Sequence, residues 1–316
     1  MHRDGETLIS MKRLISTVLA FVALGRPLFL GGGVLLYALG LAIALYEGVR
    51  LNWAIALVGQ VGVTAVQLAT HYFNDAWDLE TDLLVARPTF WTSGSRVLVR
   101  GQFPRSVPLA AGWAFIAVAL TCACILRWVL HTGQHTLPAY GLCAFVAWAY
   151  SAPPLRLIGR GLGEGTTALM VAGGVPLVAY SLQTGSVSDT LLLATLPLIA
   201  FLFAMTLAIE FPDEAADAAT GKRTLLVRLG HRRIARMHAA ALALAYLAAL
   251  GLLWAGFPSL VPAFLFLSLP LAAWQAWAVA HEAARPAAWS GIAFRGIALF
   301  VAASALQLAA FALQML

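Results

Sequence analysis

Nine mostly apolar runs recur along this chain, at 27–46, 53–73, 107–126, 137–150, 164–182, 190–209, 235–255, 259–280 and 296–315. A helix rises about 1.5 Å per residue, so about 20 apolar residues cross the ~30 Å hydrocarbon layer of a bilayer. Inside that layer every backbone N–H and C=O must find a partner within the protein, and a helix pairs them all within one segment. The runs therefore predict an all-α integral membrane protein with nine transmembrane helices; the fourth run is short. Composition agrees, with 61% hydrophobic and 11% charged residues. A soluble domain carries about 25% charged residues, and a chain this apolar would expose large greasy patches in water. No segment between the runs is long enough for a soluble domain, so 1–316 reads as one membrane domain. Within it, 1–26 reads as an interfacial N-terminal segment. Lys12 and Arg13 precede the apolar run 14–25, but there is no A-x-A cleavage site and Arg26-Pro27 ends the run. That favours an interfacial helix over a signal peptide.

Charge sets the expected orientation. With the N-terminus in the cytoplasm and nine crossings, all of the 20 Lys and Arg residues except Arg50 and Arg127 fall on the cytoplasmic side. The positive-inside rule prefers that arrangement, with the C-terminus outside. The net charge of +6 is then a topological signal. The basic residues are spread over several loops without a nucleic-acid motif, so nucleic acid is not an expected partner. Nor does any segment ask for a protein partner. Cys122, Cys124 and Cys143 lie inside predicted spans, with neither metal-ligand nor disulfide-framework spacing.

The acidic residues are more informative. Asp75, Asp78, Glu80 and Asp82 form one cluster, and Glu210, Asp213, Glu214 and Asp217 another; together they are more than half of the 14 acids in the chain. Each cluster follows an apolar run, and the two runs point the same way. Asn74, Asp78 and Asp82 stand at i, i+4 and i+8, and Asp213 and Asp217 repeat the i, i+4 step. On a helix such positions share a face. Like charges at that spacing repel, carboxylates oppose the dipole at a helix C-terminus, and acids are costly near a bilayer. A divalent cation between the two faces would relieve all three. Oxygen ligands without His or Cys suit Mg²⁺. The plain alternative is that both clusters are solvated helix ends.

Each cluster leads into a basic loop. Arg87 and Arg96 follow the first, and Lys222 and Arg223 the second. Fixed cations beside Mg²⁺ form a clamp suited to a diphosphate.

These residues resemble the UbiA superfamily of membrane prenyltransferases. The run Asn74-Asp75-Ala76-Trp77-Asp78-Leu79-Glu80-Thr81-Asp82 is similar to its NDxxDxxxD motif, and Asp213-Glu214-Ala215-Ala216-Asp217 to its DxxxD motif. Gly221-Lys222-Arg223-Thr224-Leu225, Val227-Arg228-Leu229-Gly230, Tyr150-Ser151-Ala152-Pro153-Pro154-Leu155-Arg156-Leu157 and Gly161-Leu162-Gly163-Glu164 also look like the family. The resemblance implies nine helices around a central cavity and Mg²⁺ held by both motifs. It implies transfer of a prenyl group from a polyprenyl diphosphate to an aromatic acceptor. Carried over by position, Asn74, Asp78, Asp82, Asp213 and Asp217 would hold the metal. Asp75, Asp78, Asp213, Asp217 and Tyr150 would be catalytic, with Asp75 working through basic partners. Tyr150, Trp77 and Phe73 are the aromatic candidates for facing a carbocation-like centre. Thr92-Ser93-Gly94-Ser95-Arg96-Val97-Leu98 and Arg26-Pro27 look like the group of 1,4-dihydroxy-2-naphthoate prenyltransferases of menaquinone synthesis. In that reading Arg26 and Arg156 meet the acceptor. Glu210 and Pro212 depart from the amides or basic residues common in relatives.

Two other readings remain open. A terpene cyclase of the same fold would use the same clamp and let the cation attack its own tail. A cation-coupled transporter would also bury acids, although transporter sites usually lie near the midplane on broken helices. The expected location is a bacterial cytoplasmic membrane, with the site at the cytoplasmic face.

Overall fold

A computed structural model of the chain describes residues 2–315, with side chains at 11 and 13–315. Every regular element among them is helical: α1 (His2–Leu24), α2 (Pro27–Tyr46), α3 (Trp53–Trp77), α4 (Leu79–Leu84), α5 (Ser106–Cys124), α6 (Thr136–Ala149), α7 (Gly163–Thr167), α8 (Val175–Thr184), α9 (Asp189–Ile209), α10 (Glu214–Ala219), α11 (Leu225–Leu229), α12 (His231–Trp254), α13 (Leu260–Phe266), α14 (Leu269–Glu282) and α15 (Trp289–Leu313). A π-helical turn, Ile125–Val129, extends α5, and another, Ala168–Gly174, joins α7 to α8 into one continuous rod.

Seven of these rods are long and apolar enough to cross a bilayer. They coincide with the first, second, third, fifth, sixth, seventh and ninth predicted runs. The eighth run is not one straight helix. It is α13 and α14, bent by 41° at Leu267-Ser268. Pro270 sits in the first turn of α14, where it lacks an N–H to donate back across the break. The fourth run is α6, whose 14 residues rise only about 21 Å.

Helix starts follow local chemistry. The Asn52 side chain accepts from the N–H groups of Ala54 and Ile55, and Ser188 accepts from Leu191. Both satisfy donors that a helix N-terminus leaves unpaired. Arg26 adopts a left-handed conformation (φ 46°) and Pro27 opens α2, which turns the chain sharply between α1 and α2.

The rods pack around an internal cavity. α3 lies against α5, α2, α6 and α8, while α9 lies against α12 and α15, and α15 closes back on α2. Without a hydrophobic force between helices in lipid, close van der Waals fit carries association, and small residues set the approach. Gly40 shows this. A Cβ there would stand 2.3 Å from the Pro176 carbonyl oxygen of α8. Gly40→Leu is therefore expected to cost about 1–3 kcal/mol through overpacking. Gly31, with no atom within 4 Å of an added Cβ, should accept Leu almost freely. Thermal unfolding of the two variants in detergent checks this.

Candidate active site

The two acidic motifs meet at one end of the bundle. α3 stops at Trp77 and the chain breaks at Asp78 (φ −95°, ψ 5°) before α4 resumes. The face expected to run unbroken through Asn74, Asp78 and Asp82 is thus kinked at its centre. The i→i+4 backbone bonds survive the kink: Asp78 N–H donates to the Asn74 carbonyl and Asp82 N–H to that of Asp78, both at 2.8 Å. The second motif is built alike. α9 stops at Ile209, and Asp213 begins the short α10 with the Asp217 N–H donating to its carbonyl at 2.8 Å. α4 and α10 then touch through the Thr81 and Thr220 hydroxyls, 2.9 Å apart and 139 residues apart in sequence. Asn74 and Asp213, and Asp78 and Asp217, carry the same offset, so the two motifs face each other as matched halves.

Lys222 joins those halves. Its Nζ lies 2.9 Å from Asp78 Oδ2 and 3.3 Å from Asp217 Oδ1, and all three side chains are buried. Burial alone would lower the lysine's pKa, but Asp78 and Asp217 overcome it and hold the ammonium above its ordinary range. The acids shift the other way. Burial pushes Asp82 and Asp217 up to about 7, and like charges nearby add to this against the pull of Arg26 on Asp82 and of Lys222 on Asp217. Asp213 is raised by burial although the Ser93 hydroxyl donates to it. One ammonium cannot neutralise so many carboxylates, so the cluster holds surplus negative charge that low dielectric makes expensive.

Among the described residues no three His, Cys, Asp or Glu side chains already converge as a cage; an ammonium stands between the motifs instead. Asp78 Oδ1 and Asp217 Oδ1 are nevertheless buried without a hydrogen-bond partner. Asn74, Asp78, Asp82, Asp213 and Asp217 all border the cavity mouth, and an all-oxygen set of this kind suits a hard divalent ion. The residues fit Mg²⁺, provided that Lys222 yields its place.

Asp75 faces away from the cavity. It accepts from Arg26 at 2.5 Å and from the Ser95 hydroxyl, while Arg26 also donates to Asn74 Oδ1 at 3.1 Å. Asp75 therefore fixes Arg26 at the mouth. The loop after α4 straps over the site, with Ser93 on Asp213, Ser95 on Asp75 and Arg96 on the Asp82 carbonyl.

The remaining expected basic residues divide. Arg156 stands behind Asp78, 3.6 Å from its Oδ1, outside the cavity lining rather than in an acceptor pocket. Arg96 holds the loop. Arg87 and Arg223 are exposed and neither borders the cavity, so in this conformation Lys222 and Arg26 are the cations that do. Of the aromatic candidates only Tyr150 lines the cavity, with its hydroxyl 3.3 Å from Thr167 Oγ1. Phe73 packs beside Gly112 and Trp113, and Trp77 lies under the Arg105 guanidinium. Both sit on the α5 side of α3, about 100° round the helix from Asn74 and Asp78.

Sequence reasoning overlooked a second carboxyl pair. Glu164 Oε1 accepts from Leu225 N–H at 2.6 Å and Glu210 Oε2 from Leu226 N–H at 3.3 Å. Glu210 is held well above the ordinary carboxyl range by burial and by Glu164. The signal was present in an acid at the edge of an apolar run. Below the mouth, the cavity of about 360 Å³ continues between α2, α3, α6, α8, α9 and α15.

Facing acidic motifs thus cap one end of a largely apolar cavity within a helical membrane bundle. The chain belongs to the UbiA prenyltransferase family, whose model matches residues 33–302, and it is a prenyltransferase. It is 24% identical over 251 residues, 78% of each chain, to the 1,4-dihydroxy-2-naphthoate octaprenyltransferase of Bacillus subtilis (strain 168). Its fold is similar to that of a UbiA homolog from Aeropyrum pernix K1 (TM-score 0.66, 18% identity, covering 89% of this chain and 98% of that one). It is also similar to a UbiA homolog from Archaeoglobus fulgidus bound to GPP and Mg²⁺ (TM-score 0.61, 14% identity, 91% and 99% coverage).

The surplus charge gives a signed expectation. Asp82 and Asp217 have folded-state pKa values above their unfolded ones, so between pH 4 and 7 the unfolded chain binds fewer protons. Stability without metal should fall as pH rises through that window and level off above about 7. Lys222→Met should deepen the fall, lowering stability at pH 8 by about 3 kcal/mol because buried carboxylates lose their partner. Thermal unfolding in chelator across pH 4–8 measures both.

Proposed function

We propose that the protein transfers a prenyl group from a polyprenyl diphosphate to 1,4-dihydroxy-2-naphthoate or a closely similar aromatic quinone precursor, with Mg²⁺ as cofactor. The observation carrying this reading is the pair of facing acidic motifs bridged by Lys222 at the mouth of an apolar cavity. The naphthoate enzyme of Bacillus subtilis supports the acceptor, and the Archaeoglobus fulgidus homolog bound to GPP and Mg²⁺ supports the donor and metal.

In this reading Asn74, Asp78, Asp82, Asp213 and Asp217 hold the metal. Bound there, Mg²⁺ would neutralise charge on the departing diphosphate. Lys222, released from Asp78 and Asp217, turns its ammonium to the diphosphate oxygens. The allylic C–O bond breaks with its electron pair leaving on the diphosphate, and the Tyr150 ring faces the electron-poor carbon. An electron-rich ring carbon of the acceptor forms the new C–C bond and then loses its proton to the departed diphosphate, which restores the aromatic ring, while Arg26, fixed by Asp75, receives the acceptor's carboxylate. The strap carrying Ser93, Ser95 and Arg96 keeps out water that would quench the cation. The isoprenoid tail lies in the apolar depth of the cavity. By the distribution of Lys and Arg, the mouth opens to the cytoplasm of a bacterial cell.

Asp78→Ala and Asp217→Ala should each lower transfer by at least about 100-fold while leaving the protein folded, and excess chelator should do the same to the parent. Arg50→Ala, beyond the far end of α2, should leave transfer intact. Product formation from 1,4-dihydroxy-2-naphthoate and a set of prenyl diphosphates, read by mass spectrometry, checks this. Near-normal turnover in both Asp variants would overturn the reading. Products formed from diphosphate alone would point to a cyclase.

A further inference from the structure

A polar stripe descends from the metal motif into the cavity along α3. Gln67, His71 and Asn74 stand at i, i+4 and i+7, so they share one face, and all three border the cavity. α2 runs beside them in matching register. Arg26 donates to Asn74 at 3.1 Å, the Phe29 and His71 rings lie 6.3 Å apart between centroids, and Gly33 lies against Gln67. The steps on α2, 26 to 29 to 33, mirror 74 to 71 to 67 on α3, as two antiparallel helices in contact require. The Gly33–Gln67 step is tight: a Cβ at Gly33 would fall 2.2 Å from the Gln67 amide. Glycine there gives the amide its room.

Gln67 lies about 10 Å along α3 from Asn74, within an apolar span. Its Oε1 is buried with no hydrogen-bond partner. Among the described residues His71 makes no side-chain hydrogen bond either. An unpaired amide oxygen away from water costs free energy, and it is wasted against an isoprenoid tail. The wall from α8, α9 and α15, with Val175, Leu202, Met205 and Phe300, suits that tail instead. The two walls differ in chemistry, as the two substrates of a transfer do.

The geometry points to a hydroxyl-recognising subsite on the α2–α3 wall, in which Gln67 and His71 hydrogen-bond the ring hydroxyl groups of the aromatic acceptor. Phe29 flanks the ring, and Arg26 receives the carboxylate above it. The inference rests on the transfer reading and adds to it the residues that select the acceptor. A site built to hydrogen-bond a hydroxyl rejects an analogue lacking it, because its own polar groups are then left unpaired.

Direct binding tests this without turnover. Full-length protein in detergent is titrated with 1-hydroxy-2-naphthoate and with 2-naphthoate, which share the carboxylate and differ by one hydroxyl, with isothermal calorimetry as the readout. The parent should prefer the hydroxylated ligand by about tenfold or more. Gln67→Leu and His71→Leu should each shrink that preference several-fold and leave affinity for farnesyl thiodiphosphate with Mg²⁺ unchanged. Gly33→Ala keeps both side chains but displaces the Gln67 amide, and should also shrink the preference; it serves if a Leu variant does not fold. A parent that does not discriminate the two naphthoates, or variants that keep its preference, would overturn the subsite. So would tighter farnesyl thiodiphosphate binding in Gln67→Leu, which would assign this wall to the tail. If the parent discriminates the naphthoates yet transfers no prenyl group, the subsite stands and the transfer reading fails.

Discussion

Carboxylates crowded at the mouth of a membrane cavity, with a single buried ammonium between them, set the terms for the rest of the molecule. Asp78 and Asp217 share Lys222, and burial raises the pKa of Asp82, with like charge from Asp78, Asp75 and Asp213 adding to it. Holding so many carboxylates together at low dielectric is costly. The surrounding architecture holds the cluster in place. Short helices α4 and α10 lock together through Thr81 and Thr220, and the strap between α4 and α5 donates to Asp75 and Asp213. In the proposed function the cluster takes a stronger cation than lysine, and the lysine an anion that arrives with it.

The bundle below supplies the opposite environment. Close helix contacts such as Gly40 on α8 bring the rods together, with a few interhelical hydrogen bonds such as Tyr140 to the Gly59 carbonyl beside them. The cavity left between them joins a charged mouth to a largely apolar depth. In the proposed function that gradient receives a diphosphate head at the mouth and an isoprenoid tail below it. Polar groups below the mouth are few, which gives Gln67 and His71 their weight: in an apolar wall each needs a reason.

The helical membrane fold and the pairing of the two acidic motifs were legible in the sequence. Apolar runs announced the rods, because hydrocarbon admits only segments that pair their own backbone. The i, i+4 spacing of Asn74 and Asp78, repeated in Asp213 and Asp217, announced two matched sets of side chains, because side chains on one helix face must project together. Other features were not legible. The kink at Asp78, the bend between α13 and α14, and the turning of Phe73 and Trp77 toward α5 all depend on which neighbour each helix meets.

What the sequence alone determined was the membrane class and the pairing of two acidic motifs, since these follow from hydrophobic length and helical period. Only the tertiary structure decided which cation serves which acid. Arg26 went to Asp75, Arg156 to the back of Asp78 and Lys222 to the gap between the motifs, while Arg87 and Arg223 stayed exposed. Proximity in sequence could not choose among them, because a charge acts through distance and dielectric in space, and both are fixed only once the helices have packed.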